Sequence, residues 1–313
     1  MSIRLLMAAR VIAEEWPAPG VRGLEFAPVH RESFPPFVPG DHIQIQHDNG
    51  TRRDYSLIGP AADPSTYKIA IRRDDAGRGG SMLFHDELAV GDLVFVSYPQ
   101  AGMRVADDTG HHLFIAGGIG VTAILGLLDG LAPGATAEVH YCVKTRADAA
   151  YLPALQASGA SVTVYESRAG HRLDAAQLLA TVRPDTTAYH CGPTSLMDAV
   201  KLAAAHWPAD RVRSESFAGV AKAESSQGEP FDAWLVLSKR VIHVPEHETL
   251  LQAMLREDVP LDYSCEGGAC GSCVVELVEG SVEHRDLCLS EDERAGAMTA
   301  CVSRGKGAIS IQA

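Results

Sequence analysis

The chain is short of positive charge. It holds 27 Lys and Arg against 40 Asp and Glu, a net charge of −13, and that balance argues against nucleic acid or an anionic membrane surface as a partner. Long apolar runs are missing as well. The longest uncharged stretch, Thr109 to Leu128, approaches the length of a membrane span but is broken by glycines and two histidines, and it begins like a strand and ends like a helix. The opening MSIRLLMAARV sets only five uncharged residues between Arg4 and Arg10, too few for the apolar core of a secretory signal. Internal repeats and low-complexity tracts are absent. Cysteines number seven, an odd count that does not suit a disulfide framework. A cytoplasmic location with reduced thiols is the expectation.

What the chain does hold is a run of thiols in a telling order. In DYSCEGGACGSC, Cys265 and Cys270 are separated by four residues, Cys270 and Cys273 by two, and Cys301 follows far downstream. This is the spacing of plant-type 2Fe-2S ligands. Zinc is the main alternative, but its ligands come as two close pairs or with histidines. Gly267, Gly268, Ala269 and Gly271 are expected to give the backbone the freedom to curl round the inorganic sulfides. Cys288 lies between the third and fourth ligands in the apolar run DLCLS, where a ligand role is not favoured.

A length of 313 residues suits two or three domains of about 100 residues each. Residues 1–106 read as an antiparallel β-barrel: HIQIQ at 42–46, YKIAIR at 67–72 and DLVFVSY at 92–98 alternate with turn signals. On it, RRDYSL places Arg53, Asp54, Tyr55 and Ser56 together. Tyr55 can lie along a flat cofactor, Ser56 can bond its edge and Arg53 can meet a phosphate, although Tyr in a strand is also ordinary core. GRGGS then leads into a helical pattern, so Gly79, Gly80 and Ser81 form either a phosphate loop or a simple loop with Ser81 as N-cap.

Residues 107–222 alternate between strand and helix: HHLFIAGGIGVTAILGLL, AEVHYCV, SVTVYES and TTAYHC, the last closing on CGP. A parallel sheet with a ligand at its strand ends follows. Gly117, Gly118 and Gly120 fall at such an end, open to a pyrophosphate, while the second strand ends in Lys144, Thr145 and Arg146, with no acid for a ribose hydroxyl. Cys191 reads as a buried structural cysteine or as a neighbour of a nicotinamide ring. AKAESSQGEP at 221–230 loses periodicity and reads as a linker. Residues 231–313 read as an α+β domain in which a small mixed sheet grips one helix, with VVELVEGSVE as a further hairpin. From Phe231 onward there are fourteen acidic and seven basic residues, which suggests a docking surface.

With these blocks in order, the chain resembles the reductase components of Rieske-type oxygenase systems, over essentially its whole length. The resemblance implies a multidomain protein: an FMN-binding barrel, an α/β nicotinamide domain and a β-grasp plant-type ferredoxin domain. It implies FMN, NADH and a 2Fe-2S cluster as cofactors, with NADH favoured over NADPH. Cofactor binding falls on Arg53, Asp54, Tyr55, Ser56, Ala70, Ile71, Arg72, Gly79, Gly80 and Ser81 for the flavin, and on Gly117, Gly118, Gly120, Thr122, Cys191, Gly192, Pro193 and Phe217 for the nucleotide. Ser56, Cys191 and Phe217 are the implied catalytic residues, Phe217 closing against the flavin. The implied ligands are Cys265, Cys270, Cys273 and Cys301. Ala123 stands where the family's glycine turn usually continues into proline, and Cys288 where an apolar residue is common. The expected activity passes electrons from NAD(P)H to a separate terminal Rieske-type oxygenase, the chain itself being a monomer. A stand-alone NAD(P)H-dependent flavin, ferric or dye reductase is the alternative, and a redox sensor a third class.

Overall fold

A computed structural model of the protein describes residues 6–47, 51–75, 79–106, 110–217, 227–263, 266–268 and 271–313. The stretch Leu5–Phe217 forms one compact unit and Ala218–Ala313 belongs to a second.

The first unit opens with β1 (Leu6–Ala18), β2 (Val21–Pro28), β3 (His42–Gln46), β4 (Arg52–Ser56), β5 (Tyr67–Arg72) and β6 (Leu93–Ser97). They pair in the order β4-β3-β6-β1-β2-β5, every ladder antiparallel. A single bridge between Ile58, just past β4, and Lys68 on β5 brings the two ends together, so the sheet is the nearly closed barrel that the short alternations predict. Ile43 and Ile45, Ile69 and Ile71, Val94 and Val96 fill its core, alternate residues of each strand as a period of two demands. Helix α1 (Gly80–Asp86) adds Phe84 to that core. Its N-cap is Gly79 at φ 83°, not Ser81, whose hydroxyl instead accepts the Asp74 amide at 3.2 Å.

The alternating half supplies β7 (His111–Gly117), α2 (Val121–Leu128), β8 (Thr136–Val143), α3 (Leu152–Ala157), β9 (Ser161–Glu166), α4 (Ala175–Leu178), β10 (Thr186–Cys191), α5 (Thr194–Ala203) and β11 (Val212–Glu215). The sheet is wholly parallel in the order β11-β10-β7-β8-β9. Leu113 and Ile115 join Val200 and Trp207 on one face. Phe114 and Ala116 join Ile124 and Leu127 on the other, in a core continuous with Ala18, Ile58 and Ala70 of the barrel half. From His111 to Leu128 the uncharged run is thus the β7 strand, a tight turn and α2, and no helix among the described residues is long and apolar enough to cross a membrane.

The second unit contains β12 (Phe231–Leu235), β13 (Arg240–Val244), α6 (Leu250–Arg256), β14 (Val274–Glu283), α7 (Glu291–Arg294), β15 (Ala297–Thr299) and β16 (Arg304–Ile311). Its order is β13-β12-β16-β14-β15, with β12 and β16 parallel and the remaining pairs antiparallel. The sheet grips α6, which begins with a capping box between Thr249 and Gln252 and buries Leu250, Leu251, Ala253 and Met254. VVELVEGSVE is not a hairpin: it is the single bulged strand β14. Gly280, at φ 109°, shapes a bulge that admits β16, for a Cβ there would stand 2.9 Å from Ile309 Cα. Of the expected linker, residues 221–226 lie outside the described residues.

Arg304 closes this unit from within. It is 2% exposed, donates to the carbonyls of Glu229 at 2.8 Å, Glu248 at 2.9 Å and Pro245 at 3.1 Å, and lies 5.3 Å over the Phe231 ring. Removing it strands buried acceptors, each worth roughly 1–3 kcal/mol. Arg304→Met should therefore destabilise the second unit by about 2–4 kcal/mol and lower its melting transition in calorimetry; an unchanged transition would show that water replaces the guanidinium without loss.

Candidate functional site

Strand β4 carries Arg53, Asp54, Tyr55 and Ser56 on consecutive positions. Asp54 Oδ2, the Tyr55 hydroxyl and Ser56 Oγ are buried with no hydrogen-bond partner. Asp54 Oδ1 is used, accepting from Gln44 Nε2 at 3.3 Å. Tyr55 meets Phe84 edge-on at 6.3 Å, and burial pushes its hydroxyl's pKa upward, so it stays a donor. Native proteins rarely leave buried polar atoms unmatched, so this row suits a ligand rich in acceptors and donors, as a flavin edge is. The Arg53 guanidinium lies against Gly80, where a Cβ would stand 2.6 Å from its Cζ. A cation and the first amides of α1 therefore meet, the pairing that a phosphate needs. Of the remaining flavin candidates, Ala70 and Ile71 are buried on β5 and Arg72 ends that strand.

At the carboxyl ends of β7 and β10 two turns pack backbone against backbone. Gly120 lies so close to Cys191 that a Cβ would stand 2.5 Å from its carbonyl carbon and 2.9 Å from Gly192 N, and Gly192 faces Gly117 in the same way. Gly118 has φ 52°, and its open side faces Arg72 Nη1 at 3.7 Å from a built Cβ, which links the barrel to the turn. Thr122 donates its hydroxyl to Ile119 O at 3.0 Å and so stabilises the turn itself. Pro193 precedes α5 as its N-cap. Phe217 is 41% exposed, two residues past the end of β11.

Cys191 is fully buried, and burial, followed by the charge of Glu215, holds its thiol well above the usual range. It is a neutral thiol, unsuited to nucleophilic work. Glu215 sits opposite it in the β10–β11 register. Burial raises the Glu215 carboxyl to about 7, the Asp54 charge adds to that, and Arg104 and a Met103 backbone hydrogen bond oppose it. The sequence reading does not single out Glu215; its signal is an acid on the last residue of the strand that pairs with β10. The end of the second strand also gains acids that the linear reading did not place there. Glu166, from the end of β9, accepts the Arg146 amide at 2.8 Å, and Asp148 accepts the Thr145 amide at 2.9 Å.

In the second unit, Cys273 directly precedes β14 and Cys301 follows β15, and both are nearly fully buried, 3% and 2% exposed. These strands pair, and the Ala300 amide donates to Cys273 O at 3.0 Å, so two cysteines distant in sequence come to neighbouring backbone positions. Cys265, Cys270 and Ala269 lie outside the described residues. Gly268 and Gly271 take φ 73° and 71° as expected, and among the described residues of this stretch Glu266 is also left-handed, at φ 51°, while Gly267 is not. Gly268 is packed too closely for a side chain, its built Cβ standing 2.6 Å from Val302 Cγ2. Cys288 is near: its Sγ is 3.9 Å from a Cβ built on Gly271.

Residues 236–306 match the model of the 2Fe-2S iron-sulfur cluster binding domain, and residues 97–212 match the N-terminal domain of dimethylamine monooxygenase subunit DmmA-like proteins. The chain is 33% identical to the phthalate 4,5-dioxygenase oxygenase reductase subunit of Pseudomonas putida, covering 96% of this chain and 95% of that one. It is 37% identical to the heme-dependent oxidative N-demethylase beta subunit of Ectopseudomonas mendocina, covering 96% and 97%. A solved phthalate dioxygenase reductase, described as a modular structure for electron transfer from pyridine nucleotides to a 2Fe-2S centre, superposes with a TM-score of 0.75 at 29% identity over 98% of each chain. The chain belongs to the family of oxygenase reductase subunits. It is an electron-transfer oxidoreductase with flavin and 2Fe-2S domains.

The carboxyl of the half-buried Glu215 makes stability depend on pH. Its folded pKa lies above the unfolded value, so between about pH 4.5 and 7 the folded chain keeps a proton that the unfolded chain has released, and stability falls as pH rises through that window. Glu215→Gln should remove the fall, gaining on the order of 1–3 kcal/mol over the wild type at pH 8 relative to pH 4.5. Parallel pH profiles of melting temperature in the two proteins would contradict this.

Proposed function

We propose that the chain draws electrons from NADH through FMN in its barrel and a cluster held by Cys265, Cys270, Cys273 and Cys301, and hands them to a separate terminal oxygenase of the Rieske type. The observation that carries the flavin half of this reading is the unmatched polar row on β4 beside the strand ends of the nucleotide half. Bound flavin supplies what no side chain has, the ability to take two electrons at once and release them singly. The protein's part is positioning. Ser56 and Tyr55 offer hydroxyls to the ring, Asp54 a free carboxylate oxygen, and Arg53 with Gly79, Gly80 and Ser81 a phosphate cradle. Arg72 stands between flavin and nucleotide turn, and the Gly117–Gly120 and Cys191–Pro193 turns admit the nucleotide's backbone. Phe217 covers the flavin and gives way to the nicotinamide. Glu166 and Asp148 disfavour a 2′-phosphate beside Arg146, which supports NADH over NADPH.

The domain limits follow as 1–106, 107–222 and 231–313, in a cytoplasmic monomer. Flavin released by heat and chromatographed should run as FMN, because Arg53 with Gly79, Gly80 and Ser81 offers one phosphate cradle; an FAD peak would refute the assignment. Cys273→Ser should abolish the visible cluster spectrum while flavin reduction by NADH proceeds, since the two sites lie in different units. A partner of the heme class is the second reading, favoured by the 37% identity to the heme-dependent demethylase subunit.

Docking on that partner is steered by charge in this account. On α7, Glu293 is turned back to cap Ser290 and Arg294 is turned in to Asp286, which leaves Glu291 and Asp292 facing outward. Turnover at limiting oxygenase should fall roughly tenfold from low to high salt, and the paired Glu291→Gln, Asp292→Asn variant should flatten that response without altering flavin reduction. A salt-independent wild type would remove the acidic face from the docking account.

A further inference from the structure

The segment between the third and fourth thiols holds a carboxylate that no family motif above accounts for. Asp286 is 4% exposed as a residue and its side chain is fully buried. Its Oδ1 accepts from Ser303 Oγ at 3.2 Å, with His284 Nδ1 at 3.4 Å. Its Oδ2 accepts from the Leu289 amide at 3.0 Å and from Arg294 Nη2 at 3.3 Å. Ser303 is bonded in turn to Thr299 Oγ1 at 3.0 Å, so the carboxylate grips the turn 299–303 that carries Cys301.

The backbone of the same residue meets the other side of the site. Gly268 lies between Cys265 and Cys270 in sequence, and a Cβ there would stand 3.1 Å from Asp286 Cα. The next residue, Leu287, donates its amide to Gly268 O at 2.9 Å. One buried residue therefore lies against both Gly268 and the turn of the fourth thiol. Burying a charge is costly unless it is paired and hydrogen-bonded, and Asp286 is both. Burial works against ionisation of Asp286, but the Leu289 amide and the Arg294 guanidinium outweigh it and hold the carboxyl below its usual range, so an anion stands against the turn that carries Cys301 at neutral pH.

We propose that Asp286 is the positioning residue of the iron–sulfur site, tying the Gly268 stretch to the Cys301 turn and holding a fixed negative charge there that opposes reduction of the cluster. The inference rests on the 2Fe-2S reading of the site. A charge beside a redox centre shifts its reduction equilibrium in a direction set by sign alone. Asp286→Asn keeps the shape and a carbonyl acceptor but removes the anion. Arg294→Gln, on a partly exposed helix and expected to fold, removes the cation and leaves the anion.

The test is a potentiometric titration of the full-length holoprotein, followed through the visible and electron paramagnetic resonance signals of the cluster. Asp286→Asn should move the one-electron equilibrium about tenfold toward the reduced form, about 59 mV upward, and Arg294→Gln should move it several-fold the other way. Opposite signs support the inference, since a merely loosened loop has no reason to answer to the sign of the deleted charge. Variants within twofold of the wild type, or both shifted in one direction, overturn it. Should Asp286→Asn not fold, the downward shift in Arg294→Gln carries the test, and its absence overturns the inference. A wild type without the cluster's spectrum would sink the underlying 2Fe-2S reading as well, and is distinguished by that spectrum alone.

Discussion

Buried polar groups must find partners, and strand β4 holds three that the chain does not satisfy. Asp54 Oδ2, the Tyr55 hydroxyl and Ser56 Oγ would each cost roughly 1–3 kcal/mol if left dry and unpaired, a large share of a domain's net stability. The barrel is a stable framework because its core lies on Ile43, Ile45, Ile69, Ile71, Val94 and Val96, and it can carry the unmatched row as the seat of a ligand. The adjoining parallel sheet brings its own strand ends to the same half of the chain. Its core runs on into Ala18, Ile58 and Ala70 of the barrel half, so the nucleotide turns and the polar row belong to one packed body.

The second unit solves a different constraint. Cysteines far apart in sequence must be brought close, and the pairing of β14 with β15 makes the backbones at Cys273 and Cys301 neighbours, with the Ala300 amide locking the junction. Arg304 and Asp286 then anchor the surrounding backbone through carbonyls, amides and hydroxyls. Charge is used here as a fastener, buried and hydrogen-bonded at both residues.

Much of this was legible in the sequence because the signals were local. HIQIQ and YKIAIR became β3 and β5 at the expected residues, since alternation fixes a strand's faces. The thiol order and the matched 2Fe-2S domain agree for the same reason: spacing is a property of the linear chain. What escaped depended on partners distant in sequence. VVELVEGSVE looked like a hairpin because Gly280 is a turn residue, yet it admits β16 instead. Glu215 acquires its raised pKa only from burial and from Asp54, residues 161 positions apart by their numbers. Glu166 reaches the end of β8 only because β9 lies beside it. Asp286 gains meaning through Gly268 and Ser303, neither of which marks it in the linear text.

The central claim is that one chain carries electrons from pyridine nucleotide through flavin to its own cluster. Anaerobic rapid mixing of the holoprotein with NADH, with flavin and cluster absorbance followed separately, tests it directly. The account predicts that flavin absorbance falls first and cluster absorbance follows, with no other protein present and at a rate independent of protein concentration. A cluster that stays oxidised after the flavin is reduced, or that is reduced only as protein concentration rises, would contradict it.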